Sequence, residues 1–314
     1  MSEQIKLTAC IPENATGRRF DQVLAELFSA YSRSRLQQWV REGAALLDDR
    51  VVAPKYRVSG GERVEIRALL SEDSEILPQA IPLDIRYEDA ELLVINKSAG
   101  LVVHPAAGNR DGTLQNALLH YDAGQAALPR AGIVHRLDKD TSGLMVVARK
   151  LSAHKSLVEQ LQARTVHREY LALVQGRVTA SGNVDAPIGR HPRDRLRMAV
   201  VESGKPAMTH YRVLERFPAH TLIEARLETG RTHQIRVHMA SIHYPLVGDP
   251  LYGGRFRLPA GASEPLVETL RKFRRQALHA RRLELIHPHS GNLVGWEAEL
   301  PVDFENLLSA LRES

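Results

Sequence analysis

A polar loop within residues 132–149 holds the side chains best placed to do chemistry. The segment reads GIVHRLDKDTSGLMVVAR: a short β-like entry, a polar loop and a buried-strand pattern. Asp138 lies between Arg136 and Lys139, whose charges should keep its carboxylate ionised. An ionised carboxylate held by rigid elements suits a nucleophile better than a general acid. Such a loop aspartate is also typical of a turn or cap, so spacing alone leaves both roles open.

The 14 histidines raise the question of a metal site. His233, His238 and His243 recur every five positions, which fits neither a helical i, i+4 metal pair nor one face of a strand. His287 and His289 share a strand face, but the sequence suggests no further ligand for them. The glycine-rich pieces lack the strand–GxxxxGK–helix context that cradles phosphate. We therefore expect no metal, no nucleotide cofactor and no other cofactor.

Basic residues cluster in two places. Residues 271–282, RKFRRQALHARR, hold six basic residues and no acid, and residues 189–197, GRHPRDRLR, hold four arginines and one aspartate. The planar fork of arginine matches phosphate geometry. One such cluster is equally consistent with a solvated basic face. Two clusters and a net charge of +5 favour a polyanion partner.

Composition limits the class of protein. The chain has 314 residues, of which 43% are hydrophobic and 25% charged, as in ordinary globular proteins. Its single cysteine, Cys10, excludes an intrachain disulfide and fits a reducing compartment. The start MSEQIKL lacks the apolar core of a secretory signal, and no apolar run approaches the roughly 18–20 residues that span a bilayer. We expect a cytoplasmic protein without a membrane segment.

The N-terminal part is predicted to be a small module of two helices and a sheet. GRRFDQVLAELFSA places its apolar residues on one helical face. A second helix, SRSRLQQWVREG, should be capped by Ser32 and ended by Gly43, with Leu36, Trp39 and Val40 facing inward. ALLDD, VVAPKYRV and ERVEIRAL predict short strands.

From about residue 85, strands and helices interleave. Strands are predicted in ELLVIN, GLMVVAR, REYLALVQG, HYRVLERF, HTLIEARL and RRLELIHP, and helices in KSLVEQLQAR and VDFENLLSALRE. Strands arrive in adjacent pairs, so we predict an α+β protein with a mixed, mostly antiparallel sheet. An acidic segment with prolines marks a boundary. The predicted parts are residues 1–70, a linker at 71–84, and a larger domain at 85–314.

Five ordered motifs resemble the RluA-type pseudouridine synthases. HRLDKDTSG resembles the family signature H-R-L-D-x-x-T-S-G, in which the aspartate is the nucleophile. INKSAGLVVHPAAG, REY, LETGRTHQIRVHMASIHYPLVGDPLYG and QALHARRLELIHP resemble its other motifs, so the likeness covers nearly the whole chain. The N-terminal part resembles the S4 RNA-binding domain through R-F-D, S-R-S and G-G-E-R-V. The resemblance implies a pseudouridine synthase fold behind an S4-like domain.

The resemblance implies roles for three catalytic residues and two pocket walls. Asp138 matches the nucleophile, Tyr170 the tyrosine that stacks on the target base, and Arg236 the basic residue that pairs with the aspartate. Arg231 remains an alternative partner of Asp138. The uracil pocket would be walled by Ile235 and Leu278, both read as strand residues that could equally belong to the core.

A target base must leave its stack before a carboxylate can reach it. Arg136, two residues before the aspartate, has a planar head that we expect to fill the vacated place. His135 and Arg231 are further expected RNA contacts. In the S4-like part, the resemblance implies that Arg33 and Arg35 face RNA.

The implied reaction is isomerisation of uridine to pseudouridine in 23S ribosomal RNA of the large subunit, with the helix 69 stem-loop as the expected target and a monomer as the active form. The carboxylate could attack C1′, add to C6 or promote a glycal route. Three alternatives stay open: other large-subunit or transfer RNA uridines, a catalytically inactive RNA-binding homologue, and a nucleoside glycosidase. The last would need two carboxylates, for which only Asp138 and Asp140 offer themselves.

Overall fold

The computed structural model describes residues 3–29, 31, 33–70, 76–106, 108–254 and 258–314. The chain divides into two compact units, Met1–Glu75 and Ile76–Ser314. The strands are β1 (Glu3–Cys10), β2 (Ala45–Leu47), β3 (Arg63–Leu70), β4 (Ile85–Glu88), β5 (Leu92–Lys97), β6 (Ser142–Ala148), β7 (His167–Gln175), β8 (Gly182–Asp185), β9 (Ile188–Arg190), β10 (Met198–Val200), β11 (Met208–Arg216), β12 (His220–Leu227), β13 (Leu278–Ile286) and β14 (Leu293–Glu297). The helices are α1 (Phe20–Leu27), α2 (Arg33–Arg41), α3 (Leu114–Tyr121), α4 (Leu151–Ala163), α5 (Gln234–Ser241), α6 (Glu264–Lys272) and α7 (Val302–Arg312), with short 3-10 turns at Glu13–Ala15, Ala123–Ala127 and Pro129–Gly132.

The N-terminal unit packs α1 and α2 on a small antiparallel sheet ordered β1–β3–β2. Leu36, Trp39 and Val40 of α2 are buried, as predicted. Gly43 follows α2 with a φ of +73°, a left-handed conformation that glycine adopts without strain. Ser32, the predicted cap, lies outside the described residues.

One predicted strand of this unit is wrong. VVAPKYRV forms no strand, because its carbonyl groups serve the start of α1 instead. The N–H of Phe20 donates to the carbonyl oxygen of Tyr56 (2.8 Å) and that of Asp21 to Pro54 (3.0 Å). Strand β1, which was not predicted, takes the place beside β3.

The C-terminal unit is built on a sheet ordered β4–β5–β6–β13–β7–β12–β11–β8, with β14 also paired to β13. Its pairings are antiparallel except that between β6 and β13, which is parallel. The predicted α+β class with a mixed, mostly antiparallel sheet is confirmed. Residues of β5 and β6 enter apolar clusters on both faces of the sheet, which explains their unbroken apolar runs.

The segment THQIR folds differently from its interpretation as a strand. Gln234, Ile235 and Arg236 open α5, a helix whose first six residues are all buried. Burial on every side removes the 3.6-residue alternation of polar and apolar residues that reveals a surface helix in sequence. Ile235 is therefore a helical residue, whereas Leu278 begins β13.

Candidate active site

The loop that carries Asp138 connects a 3-10 turn at Pro129–Gly132 to β6. The N–H of Thr141 donates to the carbonyl oxygen of Asp138 at 3.1 Å, which closes the loop into a turn. Gly143, at the start of β6, has a φ of +116°, and a Cβ there would lie 2.3 Å from the carbonyl oxygen of Ala280. The glycine therefore lets β6 approach β13 directly behind the loop.

Lys97 anchors the same loop from β5. Its buried ammonium donates to the carbonyl oxygens of Ser98 (2.7 Å), Leu101 (2.9 Å) and Lys139 (2.9 Å). Burial lowers the pKa of Lys97 to about 7, although the charges of Asp140 and Asp138 oppose that shift. The carbonyl contact to Lys139 fixes the backbone next to Asp138.

Arg236 is the charged partner of Asp138. Its Nη1 donates to Oδ2 of Asp138 at 2.9 Å, while Nε and Nη2 bind the two carboxylate oxygens of Asp249 at 2.7 and 2.9 Å. Burial alone would lower the pKa of Arg236, but the hydrogen bonds and charges of Asp249 and Asp138 outweigh burial and raise it. The guanidinium is thus a permanent cation shared by two carboxylates.

Asp249 and Tyr252 support Arg236 from behind. Oδ1 of Asp249 also accepts the backbone N–H groups of Leu251 (2.9 Å) and Tyr252 (3.0 Å), so this fully buried carboxylate is saturated. The Arg236 guanidinium carbon lies 5.0 Å from the centre of the Tyr252 ring, within cation–π range. The arginine is held on two sides.

His233 approaches the other oxygen of Asp138. Its Nε2 lies 3.8 Å from Oδ1, and its Nδ1 is 2.8 Å from the hydroxyl of Tyr252. Burial lowers the pKa of His233. The imidazole next to the carboxylate is therefore neutral. Oδ1 of Asp138 accepts no hydrogen bond from the described residues.

Asp138 opens into a cavity of about 660 Å³. Its walls include the buried side chains of Tyr170, Ile235 and Leu278, which the sequence assigned to base stacking and to the pocket. Burial raises the pKa of Tyr170, which therefore keeps its hydroxyl protonated at neutral pH. The structure brings Asp138, Arg236, Tyr170, Ile235 and Leu278 together in one site.

The predicted RNA contacts beside the loop take different positions. Arg136 is exposed and lines the cavity. His135 also lines it, but its Nε2 accepts the N–H of Val146 at 3.0 Å, and burial lowers its pKa to about 3. Arg231 donates to the carbonyl oxygen of Pro206 and not to Asp138. Of the two candidate partners, Arg236 is therefore the one that contacts the carboxylate.

In the N-terminal unit, Arg33 is bound to a buried carboxylate. Arg33 and Arg19 both donate to Asp21, whose side chain is fully buried, and Gln37 donates to the same oxygen as Arg33. Burial would raise the pKa of Asp21, but these hydrogen bonds lower it to about 2. The guanidinium of Arg35 lies 5.9 Å from the Trp39 ring centre.

Sequence reasoning gave no role to Asp249, Tyr252 or His233. All three lie in the motif LETGRTHQIRVHMASIHYPLVGDPLYG, and only their place in the fold brings them to Arg236 and Asp138. The sequence held one hint of their importance: the motif continues well beyond Arg231 and Arg236, the two arginines that were considered.

Within the described ranges, no three histidine, cysteine or acidic side chains are grouped as metal ligands. Nor does any helix there have the length and apolarity needed to cross a bilayer.

Family models match both units. Residues 91–241 match the model described as RNA pseudouridylate synthase, and residues 18–64 match the S4 domain. Among curated proteins, the chain is similar to "ribosomal large subunit pseudouridine synthase D" of several bacteria. Identity is 60% with that of Xanthomonas campestris pv. campestris (97% of this chain, 92% of the relative), 58% with Pseudomonas aeruginosa (100% and 98%) and 56% with Escherichia coli K12 (99% and 96%).

Two solved structures of proteins named for RNA pseudouridylate synthase domains are similar to about three quarters of the chain. "Human RNA Pseudouridylate Synthase Domain Containing 4" superposes with a TM-score of 0.56 at 28% identity, covering 73% of this chain and 92% of that one. "Human RNA Pseudouridylate Synthase Domain Containing 1" gives a TM-score of 0.54 at 26% identity, covering 75% and 97%.

Proposed function

The chain belongs to the RNA pseudouridylate synthase family, and from that premise we propose that it isomerises uridines of large-subunit ribosomal RNA with Asp138 as nucleophile. The relatives at 56–60% identity are named for the large ribosomal subunit. The observation that carries the role of Asp138 is its position: one carboxylate oxygen is bound to a buried arginine and the other is open to a cavity beside Tyr170.

The reaction breaks the N1–C1′ bond of uridine and forms a C5–C1′ bond. A proton leaves C5 and N1 gains one, so atoms and oxidation state balance, and the chemistry needs neither a redox partner nor an energy source. This balance supports our expectation that no cofactor takes part. The protein must supply a nucleophile, hold the detached uracil and accept the C5 proton.

Oδ1 of Asp138 is the oxygen that we assign to attack. Oδ2 is engaged by Arg236, and Oδ1 has no donor among the described residues that would weaken it as a nucleophile. Attack on C1′, addition to C6 and the glycal route all begin from this carboxylate. The arrangement of groups supports all three.

The walls of the cavity suit a detached uracil. Tyr170 offers an aromatic face for stacking, and Ile235 and Leu278 offer apolar walls that exclude water from the intermediate. Because the tyrosine hydroxyl stays protonated, it can relay the C5 proton only by releasing its own, and N1, which gains a proton in the reaction, is where that proton ends. A free uracil held this way can turn before it rejoins the ribose.

The finer target that we propose is the helix 69 stem-loop of 23S ribosomal RNA, modified by a monomeric enzyme in the cytoplasm. The S4 match supports a second RNA contact, in which Arg33 and Arg35 of α2 take part. An S4 domain and a nearly full-length likeness to large-subunit synthases favour this target over transfer RNA.

Arg136 is proposed to fill the stack that the flipped uridine leaves. It is exposed at the cavity mouth, two residues from Asp138. Extruding a stacked base requires a few kcal/mol, which an already unstacked base does not need. Arg136→Ala should therefore slow turnover on a stem-loop at least about tenfold more than on an unstructured strand; equal losses on both would remove this role.

The experiment for the proposed function maps pseudouridines in ribosomal RNA from cells that lack the gene. We expect specific large-subunit sites to lose pseudouridine and to regain it with the wild-type protein but not with Asp138→Asn. Expressing Arg312→Gln, which removes an exposed ion pair to Glu215, provides a matched control and should restore every site. Unchanged large-subunit RNA together with lost transfer RNA sites would overturn the substrate assignment.

A further inference from the structure

The cavity at Asp138 holds an arginine that the catalytic account does not use. Arg168 lies on β7, two residues before Tyr170, and both side chains line the cavity. Glu169, between them, pairs with Arg226 at 2.9 Å, and neither of those two lines the cavity. Arg168 therefore faces the substrate space while its neighbour is engaged elsewhere.

The guanidinium of Arg168 is not neutralised. Its Nε is buried and has no hydrogen-bond partner in the described part of the chain, which is rare for a buried donor. Neither acid that lines the cavity forms an ion pair with Arg168: Asp138 contacts Arg236 through Oδ2, and Glu228 contacts Arg164 and His210. Arg168 is half-buried, and a cation whose Nε is shielded from water without an acid partner is stabilised by an anion or acceptor that enters from outside.

The guanidinium of Arg168 lies against Gly230. A Cβ at Gly230 would lie 2.9 Å from Nη1 of Arg168. Other positive groups also surround the cavity, which makes the entry of an anion favourable. The cavity-lining arginines without an acid partner among the described residues are Arg130, Arg136 and Arg231, whereas Arg164 and Arg236 are paired with carboxylates.

We propose that Arg168 binds a backbone phosphate adjoining the target uridine and so sets the position of its ribose over Asp138. Arginine has only donors, in a fork that matches two phosphate oxygens. An extended strand advances about 3.3 Å per residue, so Arg168 begins about 7 Å from the tyrosine that we place against the base. The cavity, far larger than one uracil ring needs, accommodates both groups.

This inference rests on the proposed function, and the test separates the two. Wild-type protein is first assayed for pseudouridine in a synthetic stem-loop that contains the mapped uridine. Binding is then measured in the full-length Asp138→Asn background, with and without Arg168→Gln. The RNA carries either natural phosphates or one uncharged methylphosphonate at the 5′ or the 3′ phosphate of the target.

Arg168→Gln should weaken binding of natural RNA about tenfold, the value of one charge-assisted contact. One methylphosphonate should weaken binding by the parent protein equally and should not further weaken binding by Arg168→Gln. Arg226→Gln, which removes the same charge outside the cavity, should retain full sensitivity to that methylphosphonate. If each methylphosphonate weakens Arg168→Gln as much as the parent, the phosphate assignment is overturned.

Arg168→Met provides a second variant if Arg168→Gln does not fold. It removes the charge but keeps much of the side-chain length, and it leaves no buried Nε without a partner, so it should lose sensitivity to the same methylphosphonate; retained sensitivity would contradict the proposal. Wild-type protein that makes pseudouridine while these variants retain full sensitivity would refute the role of Arg168 alone. Wild-type protein that makes none on any ribosomal RNA would instead refute the proposed function.

Discussion

In the N-terminal unit, the carboxylate of Asp21 is the buried group, and Arg19, Arg33 and Gln37 donate to it from the surface. In the C-terminal unit, the guanidinium of Arg236 is the buried group, and Asp249 and Asp138 accept from it. Both units thus contain a cluster of arginine and aspartate side chains, but the group at the centre is the acid in one and the arginine in the other. One cluster uses up its acid to present arginines to solvent, whereas the other uses up its arginine to present an acid to a cavity.

The difference shows how burial decides which partner of an ion pair can act. A fully saturated buried group is an anchor, since every lone pair or proton it has is committed. Asp249 is such an anchor for Arg236, and Asp21 for Arg33. Asp138 differs because only one of its oxygens is committed. That half-satisfied carboxylate is what the catalytic proposal needs.

Breaking the C-terminal cluster should have the largest effect. Arg236→Met leaves two carboxylates facing each other without their shared cation, and one of them is fully buried. We expect turnover to fall by at least about a hundredfold and the free energy of unfolding by about 3 kcal/mol. Single-turnover kinetics and urea unfolding would measure the two losses. Arg312→Gln, at an exposed ion pair, should change stability by less than about 1 kcal/mol; equal effects of the two variants would contradict the account.

Breaking the N-terminal cluster should affect stability and RNA affinity but not chemistry. The pKa of Asp21 is lowered from 3.8 to about 2, so its contacts stabilise the unit by about 2 kcal/mol above pH 4, and this is lost as pH falls through 2. Asp21→Asn should lose that amount in urea unfolding, read from Trp39 in a Trp296→Phe background. RNA affinity should fall severalfold while the single-turnover rate at saturating RNA stays within about twofold. A large loss of that rate would contradict the division of roles.

A third difference between the two units should appear only in acid. The pKa of His135 is lowered to about 3 by burial, so between pH 6.5 and 3 the unfolded chain takes up a proton that the folded C-terminal unit refuses. Stability then falls with decreasing pH by about 1.4 kcal/mol per pH unit from this group. His135→Gln can still accept the N–H of Val146 but does not titrate. Unfolding read from Trp296 in a Trp39→Phe background should therefore be less sensitive to acid in this variant, and identical pH slopes would be evidence against the role of His135.

Local signals in the sequence were sufficient for most of the fold. Apolar runs identified β5 and β6, which are buried on both faces. Apolar residues on one side of the helix identified α1, α2 and α4, which pack on one face only. The same reasoning failed for α5, whose buried first six residues carry no alternation, and for VVAPKYRV, whose carbonyl groups serve a helix start. Helices α3 and α6 and strands β1, β4, β8, β9, β10 and β14 were not predicted. Of these, β4, β8, β9 and β10 have only three or four residues, too few to show periodicity.

For the site, family motifs supplied the residues and the fold supplied their contacts. The motifs pointed to Asp138, Tyr170 and Arg236, but the choice between Arg231 and Arg236 needed the distance to the carboxylate. Asp249 could not be inferred, because a pairing across a helix and a turn depends on tertiary structure. The domain boundaries and the roles of Arg33 and Arg35 stay predictions.

The most direct test of the account is the rate of pseudouridine formation by Asp138→Asn in a single turnover at saturating RNA. The amide keeps the size of the side chain and removes the charge that Oδ1 needs for attack. We predict a rate on the order of 10⁴-fold or more below wild type, with RNA affinity and thermal stability nearly unchanged. A variant that binds RNA normally and forms pseudouridine within tenfold of the wild-type rate would show that the carboxylate is not the nucleophile.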